Sequence, residues 1–162
     1  MDLFDFSIKM EKDAEALYRK MADNAPIEGI KRVLLLLAED EVRHREAIER
    51  LRQNMDIDPP RESVLEIKTV FEELKEDPEV TSISTDTIED YQKAVEIEKK
   101  GVEFYKEQFA GAEDETSKRL FDTLMRQEIY HLHTTQNLLD MVQRPAWWVE
   151  DAEFNPHDSN VY

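Results

Sequence analysis

The sequence predicts an all-α fold, an antiparallel four-helix bundle built from two copies of one helical hairpin. Three observations carry that expectation. Apolar residues recur at three-and-four spacing through four long stretches, the pattern of amphipathic helices. The composition suits long helices and is poor for a sheet protein: 40% hydrophobic and 36% charged, with three glycines in 162 residues. The chain also repeats itself. At an offset of 87 residues, Ile8, Glu11, Tyr18, Leu37, Glu41, His44 and Leu51 fall on Val95, Glu98, Tyr105, Leu124, Glu128, His131 and Leu138 without a gap. Lys12, Lys31 and Arg32 recur in the same way as Lys99, Lys118 and Arg119.

The first helix is expected over residues 3–23, with Phe4, Ile8, Glu11, Ala14, Glu15, Tyr18 and Met21 on one stripe. Asn24, Ala25 and Pro26 make a tight break, and Pro26 is suited to open the second helix. That helix runs to about residue 54 and turns Leu34, Leu37, Glu41, His44, Ile48 and Leu51 inward. Residues 56–60 end it. A shorter helix follows over 63–75, carried by Val64, Leu65, Ile67, Phe71 and Leu74, and residues 76–84 read as an extended or irregular link around Pro78. Asp86 followed by Glu89 has the form of a capping box and opens the third long helix, with Tyr91, Val95, Glu98, Val102, Tyr105 and Phe109 inward. A break at Ala110, Gly111 and Ala112 precedes the fourth, which runs to about residue 143 with Leu120, Leu124, Glu128, His131, Thr135 and Leu138 inward. Pro145 closes it.

Short loops inside each hairpin and a long link between them define the domain organisation. Hairpin 3–55, crossover 56–85 and hairpin 86–143 form one bundle over 1–143, and 144–162 is a tail. A crossover of that length lets the second and third long helices run the same way, which is ferritin-like connectivity. The tail holds Trp147, Trp148, Phe154 and Tyr162 among acids and Pro156. So many aromatics predict an irregular strap lying on the bundle or on a neighbouring subunit.

Charge excludes several classes of function. With 21 basic and 38 acidic residues the net charge is −17, which repels phosphate backbones and argues against nucleic acid or an anionic membrane surface. Cations are the natural visitors. No cysteine is present, so there is no disulfide, no thiolate metal site and no redox thiol. The start Met-Asp-Leu-Phe lacks a basic leader, and the longest apolar run, 33–38, falls short of a membrane span. A cytoplasmic protein is the expectation.

The chemistry lies in the repeat. Glu41-x-x-His44 and Glu128-x-x-His131 each place a carboxylate and an imidazole on one helix face, one turn apart. A lone glutamate precedes each motif by 30 residues, at Glu11 and Glu98. Half of the four histidines occupy this one equivalent position, whereas His133 points off the face and His157 lies in the tail. Carboxylate with imidazole suits a divalent or trivalent transition metal. Four carboxylates interrupting apolar seams halfway along their helices cannot be buried uncompensated. Four glutamates with two neutral histidines carry −4, which two divalent ions match. One Glu from each of two helices, with Glu-x-x-His from each of the other two, is the ligand pattern of di-iron and di-manganese carboxylate bundles.

On these motifs the sequence, over about residues 4–142, resembles rubrerythrins and their ferritin-like di-iron relatives. The resemblance implies that Glu11, Glu41, His44, Glu98, Glu128 and His131 hold two irons joined by an oxo or hydroxo bridge, with Glu41 and Glu128 as bridging carboxylates. Manganese or zinc are substitutes that the same donors accept. In this family, tyrosines at the places of Tyr18 and Tyr105 lie close to the metals. Here they are expected either to donate hydrogen bonds that orient ligands or to pack in the core with their hydroxyls satisfied.

Two departures bear on the reaction. The four-cysteine rubredoxin module of many rubrerythrins is missing, and Gly101 stands where many carry a further glutamate. Its repeat mate is Ala14, and Glu15 offers an additional carboxylate on the other side. The resemblance implies a peroxide-reducing oxidoreductase served by an external electron donor such as a separate rubredoxin. It also accommodates a ferroxidase using dioxygen and iron(II), and, in another class, a metal-binding or storage protein without turnover. A homodimer is the assembly it implies, with a larger assembly or hairpins exchanged between subunits as alternatives.

Overall fold

A computed structural model describes residues 1–151; Phe154, Pro156, His157 and Tyr162 lie outside the described residues. Within them the chain is helical and has no strand. The helices are α1 (Leu3–Asp23), α2 (Glu28–Arg52), α3 (Val64–Lys75), α4 (Ile88–Gly111), α5 (Glu115–Gln143) and α6 (Pro145–Glu150), with a 3₁₀ turn over Val80–Ser82.

Side-chain pairs fix how the four long helices run. Arg52 meets Asp5, Arg45 meets Glu15 and Arg19 meets Glu39, so α1 and α2 are antiparallel. Phe6 lies against Phe104 and Lys20 against Asp90, making α1 and α4 antiparallel as well. Tyr105 stacks near Phe121 while His131 approaches Glu98, and the same holds for α4 and α5. The diagonal pair α2 and α4 therefore run the same way, as the long crossover requires. Two apolar clusters fill the bundle. One gathers Leu17, Leu34, Leu37, Tyr91, Leu138 and Met141 with α3, and the other Ile8, Ile48, Tyr105, Phe121 and Leu124. The glutamates and histidines of the repeat occupy the layer where the two meet.

Local starts differ from the sequence reading where packing overrides capping chemistry. Helix α2 begins at Glu28 rather than at Pro26, because Ile27 is buried in extended backbone and sets the start. Helix α4 begins at Ile88, and no capping box forms at Asp86. The Thr87 N–H is instead taken by the Thr85 hydroxyl at 3.2 Å. Ser63 precedes α3 without capping it, since its hydroxyl donates to Asp40 at 2.7 Å. The link after α3 is not wholly irregular: its 3₁₀ turn buries Val80.

Over residues 145–151 the tail lies on the bundle as expected, but it begins as a helix and not as an irregular strap; the rest of the tail lies outside the described residues. Pro145 both stops α5 and opens α6, whose Trp148 is fully buried. Its indole N–H donates to Asn137 Oδ1 at 2.5 Å, and Lys75 Nζ sits 4.1 Å from the ring centroid while donating to the Trp148 and Asp151 carbonyls. Trp147 remains 42% exposed, with the Arg144 guanidinium 4.2 Å from its ring.

Candidate metal centre

The antiparallel register brings the midpoints of four helices together, and with them all six expected ligands. Glu11 comes from α1, Glu41 and His44 from α2, Glu98 from α4, and Glu128 and His131 from α5; all are buried. They form two overlapping groups, Glu11, Glu41, His44 and Glu128 in one, Glu41, Glu98, Glu128 and His131 in the other. In each group one ligand atom from every residue lies within 4.8 Å of the rest. Glu41 and Glu128 belong to both, the position a bridging carboxylate takes.

Each imidazole turns Nδ1 to the centre and Nε2 away from it. His44 Nδ1 lies 3.1 Å from Glu128 and 3.4 Å from Glu11, and His131 Nδ1 2.7 Å from Glu41. The two rings stack 5.4 Å apart. Two residues not singled out in the sequence hold the far nitrogens. Gln127 Oε1 meets His44 Nε2 at 2.7 Å, and because the Gln127 amide donates to the Pro60 carbonyl at 2.9 Å, its oxygen faces the ring. Asp40 Oδ2 meets His131 Nε2 at 3.0 Å. Both acceptors place the ring proton on Nε2 and free the Nδ1 lone pair for a metal ion. A signal for them was present: Asp40 and Gln127 are repeat mates, each four residues before a motif histidine on the same helix face.

The tyrosines both act on ligands, across the pseudo-twofold. Tyr105 donates to Glu11 at 2.5 Å and Tyr18 donates to Glu98. Burial, reinforced by the neighbouring glutamate charges, pushes both phenols well above their ordinary range and keeps them protonated donors. Glu15 does not turn to the centre. Its carboxylate is held by Arg45 and Arg19, each at 2.8 Å. His133 is exposed, off the face as expected.

Four carboxylates in one dry layer cannot all ionise without a cation. Burial and then the charges of Glu11 and its neighbours raise Glu41 well above the carboxylate range, and burial with the Glu98 charge does the same to Glu128. For Glu11, burial is outweighed by His44 and by hydrogen bonds, which bring it down to about 2. Glu98 is likewise lowered against burial by its bonds to Glu128, His131 and Tyr18. His131 resists burial through Asp40 and Glu98 and is raised well above its ordinary value.

The donor set fits a metal pair by another measure. Glu11 Oε2, Glu41 Oε1, Glu98 Oε2 and His131 Nδ1 are buried polar atoms without a hydrogen-bond partner. His131 Nδ1 and Glu41 Oε1 approach each other without bonding, as two donors aimed at a common ion would. Gly101 packs against this layer: a Cβ there would stand 2.9 Å from Glu128 Oε2.

Comparison with known families agrees with this geometry. The rubrerythrin family model matches residues 2–139. None of the curated proteins and none of the solved structures matches the chain.

Proposed function

Because the chain belongs to the rubrerythrin family and carries six buried Glu and His ligands in two overlapping groups, we propose that it is a di-iron oxidoreductase that reduces hydrogen peroxide. The observation that carries the two-metal reading is the set of four orphaned ligand atoms converging on one layer. When bound, an iron pair supplies the two electrons that, with two protons, convert one peroxide to two waters. Glu11 and Glu98, oriented by Tyr105 and Tyr18, would each help hold one ion, and Glu41 and Glu128, common to both groups, would serve both. Manganese and zinc fit the same donors.

These 162 residues hold no cysteine for a rubredoxin-type relay, and we assign the supply of electrons to a separate donor, of which rubredoxin is the type. We assign the protein to the cytoplasm as a homodimer that binds neither nucleic acid nor membrane. Its charge of −17 supports the last two, and among the described residues no helix is long and apolar enough to cross a membrane.

Gly101 favours a second reading, a ferroxidase that oxidises iron(II) with dioxygen. The further carboxylate many rubrerythrins place there is absent, and Glu128 abuts the backbone instead. A third class, metal held without turnover, would use the ions only to tie the bundle together. Anaerobic loading with two equivalents of iron(II), followed by stopped-flow mixing with peroxide and with dioxygen, separates them. Faster oxidation by peroxide is expected; faster oxidation by dioxygen supports the ferroxidase, and no oxidation leaves only the metal-holding role.

A further inference from the structure

We propose that Asp40 and Gln127 make the two metal positions unequal, so that the one built on His131 fills before the one built on His44. The inference rests on the two-metal reading above and adds an order of loading to it.

Almost everything around the centre is matched by the repeat. Each position has one histidine, one terminal glutamate held by a tyrosine, and the two shared carboxylates Glu41 and Glu128. The pair Asp40 and Gln127 breaks the match. They occupy the same place in the two hairpins and do the same job, accepting from a histidine Nε2, but one is a carboxylate and the other a neutral amide. Neither is free to do otherwise. Asp40 accepts from Ser63 Oγ at 2.7 Å, from the Ser63 N–H at 3.4 Å and from Arg43, while Gln127 is pinned through its amide to the Pro60 carbonyl. The crossover thus locks both acceptors from one side.

A hydrogen bond to an ionised carboxylate is roughly twice as strong as one to a neutral acceptor, and it makes the imidazole a better donor at its other nitrogen. A cation on His131 feels the Asp40 charge through a direct hydrogen bond to its ring, whereas the ring of His44 is bonded to a neutral amide and feels Asp40 and Glu62 only without a hydrogen bond to either. Arg43 offsets this only in part. Its side chain is 24% exposed and its charge is screened by water, whereas the Asp40 side chain is 1% exposed.

Cobalt(II) titration of the metal-free full chain under anaerobic conditions, followed by its visible absorption and by calorimetry, tests the order. Two equivalents are expected in two steps, the first lost in His131→Ala and kept in His44→Ala. Repulsion between two cations would also split the steps, so the isosteric variants decide. Asp40→Asn should narrow the separation by about ten- to hundredfold by weakening the first step, the usual size of an outer-partner effect on metal affinity. Gln127→Glu, which puts a charge behind His44 while giving up the amide bond to the Pro60 carbonyl, should strengthen the second step, and it carries the test alone if circular dichroism shows Asp40→Asn to be unfolded. Two equivalents bound with a separation that neither variant changes overturns the inference and leaves the two-metal reading intact. No cobalt uptake overturns both.

Discussion

At Gly101 two effects that usually run together are set against each other. Alanine in mid-helix is ordinarily worth about 1 kcal/mol more than glycine. Here the new methyl would press on Glu128 Oε2 from 2.9 Å, closer than real Cβ contacts come, so the carboxylate end must move. Gly101→Ala is therefore expected to leave the metal-free melting temperature equal or higher while cobalt(II) affinity falls at least about tenfold, the scale on which disturbed ligand geometry acts. Unchanged affinity with raised stability would show that Glu128 does not depend on the close approach. Four of the six candidate ligands were legible from the Glu-x-x-His spacing, which states its own geometry on a helix, and Glu11 and Glu98 from their place in the repeat. Asp40 and Gln127 were not: a polar residue four before a histidine acquires meaning only once the opposite helix supplies the ring it holds.

Among the elements, the long helices follow from periodicity, and α1 and α5 end where the apolar stripes end. Their starts were less legible. Ile27, Thr87 and Ser63 stand at helix starts without capping through their side chains: Ile27 is buried, the Thr87 hydroxyl pairs with that of Thr85, and Ser63 donates to Asp40. Helix α6 shows the same thing at larger scale: six residues are too few to hold a helix in water, and Trp148 holds this one by burial against Phe71 with its N–H on Asn137. Trp148→Ala should cost about 3–5 kcal/mol, as large-to-small changes of buried aromatics do. Chemical denaturation measures it. A loss below about 1 kcal/mol would mean that α6 contributes little to the bundle.

For the bundle as a whole, the raised groups at its centre set the pH dependence of the metal-free chain. Glu41 and Glu128, with ordinary carboxyl value 4.5, and His131, ordinarily 6.5, are all raised in the folded chain. Above those ordinary values the unfolded chain binds fewer protons than the native one, so stability falls as pH rises. The lowered groups, Glu11 and Glu98, act in the opposite direction, but only as pH falls below about 4.5, so their contribution is constant at neutral pH. Metal-free protein should thus lose melting temperature from about pH 6 to pH 9, while protein loaded with manganese(II) should hold or gain it, because the ions replace the protons. Scanning calorimetry of both forms checks this; parallel pH slopes would contradict it.

What the sequence determined by itself was the periodic part: four long helices, two equivalent hairpins and the buried Glu and His residues of the repeat, all properties of residues a turn or two apart on one face. The tertiary structure alone decided the unequal Asp40 and Gln127 behind the histidines, the turning of Glu15 to Arg45, the crowding at Gly101 and the folding of α6 onto the bundle. Each of these is a meeting between segments far apart in the chain. Local spacing encodes what a helix presents, and only the packing of helices encodes what it presents it to.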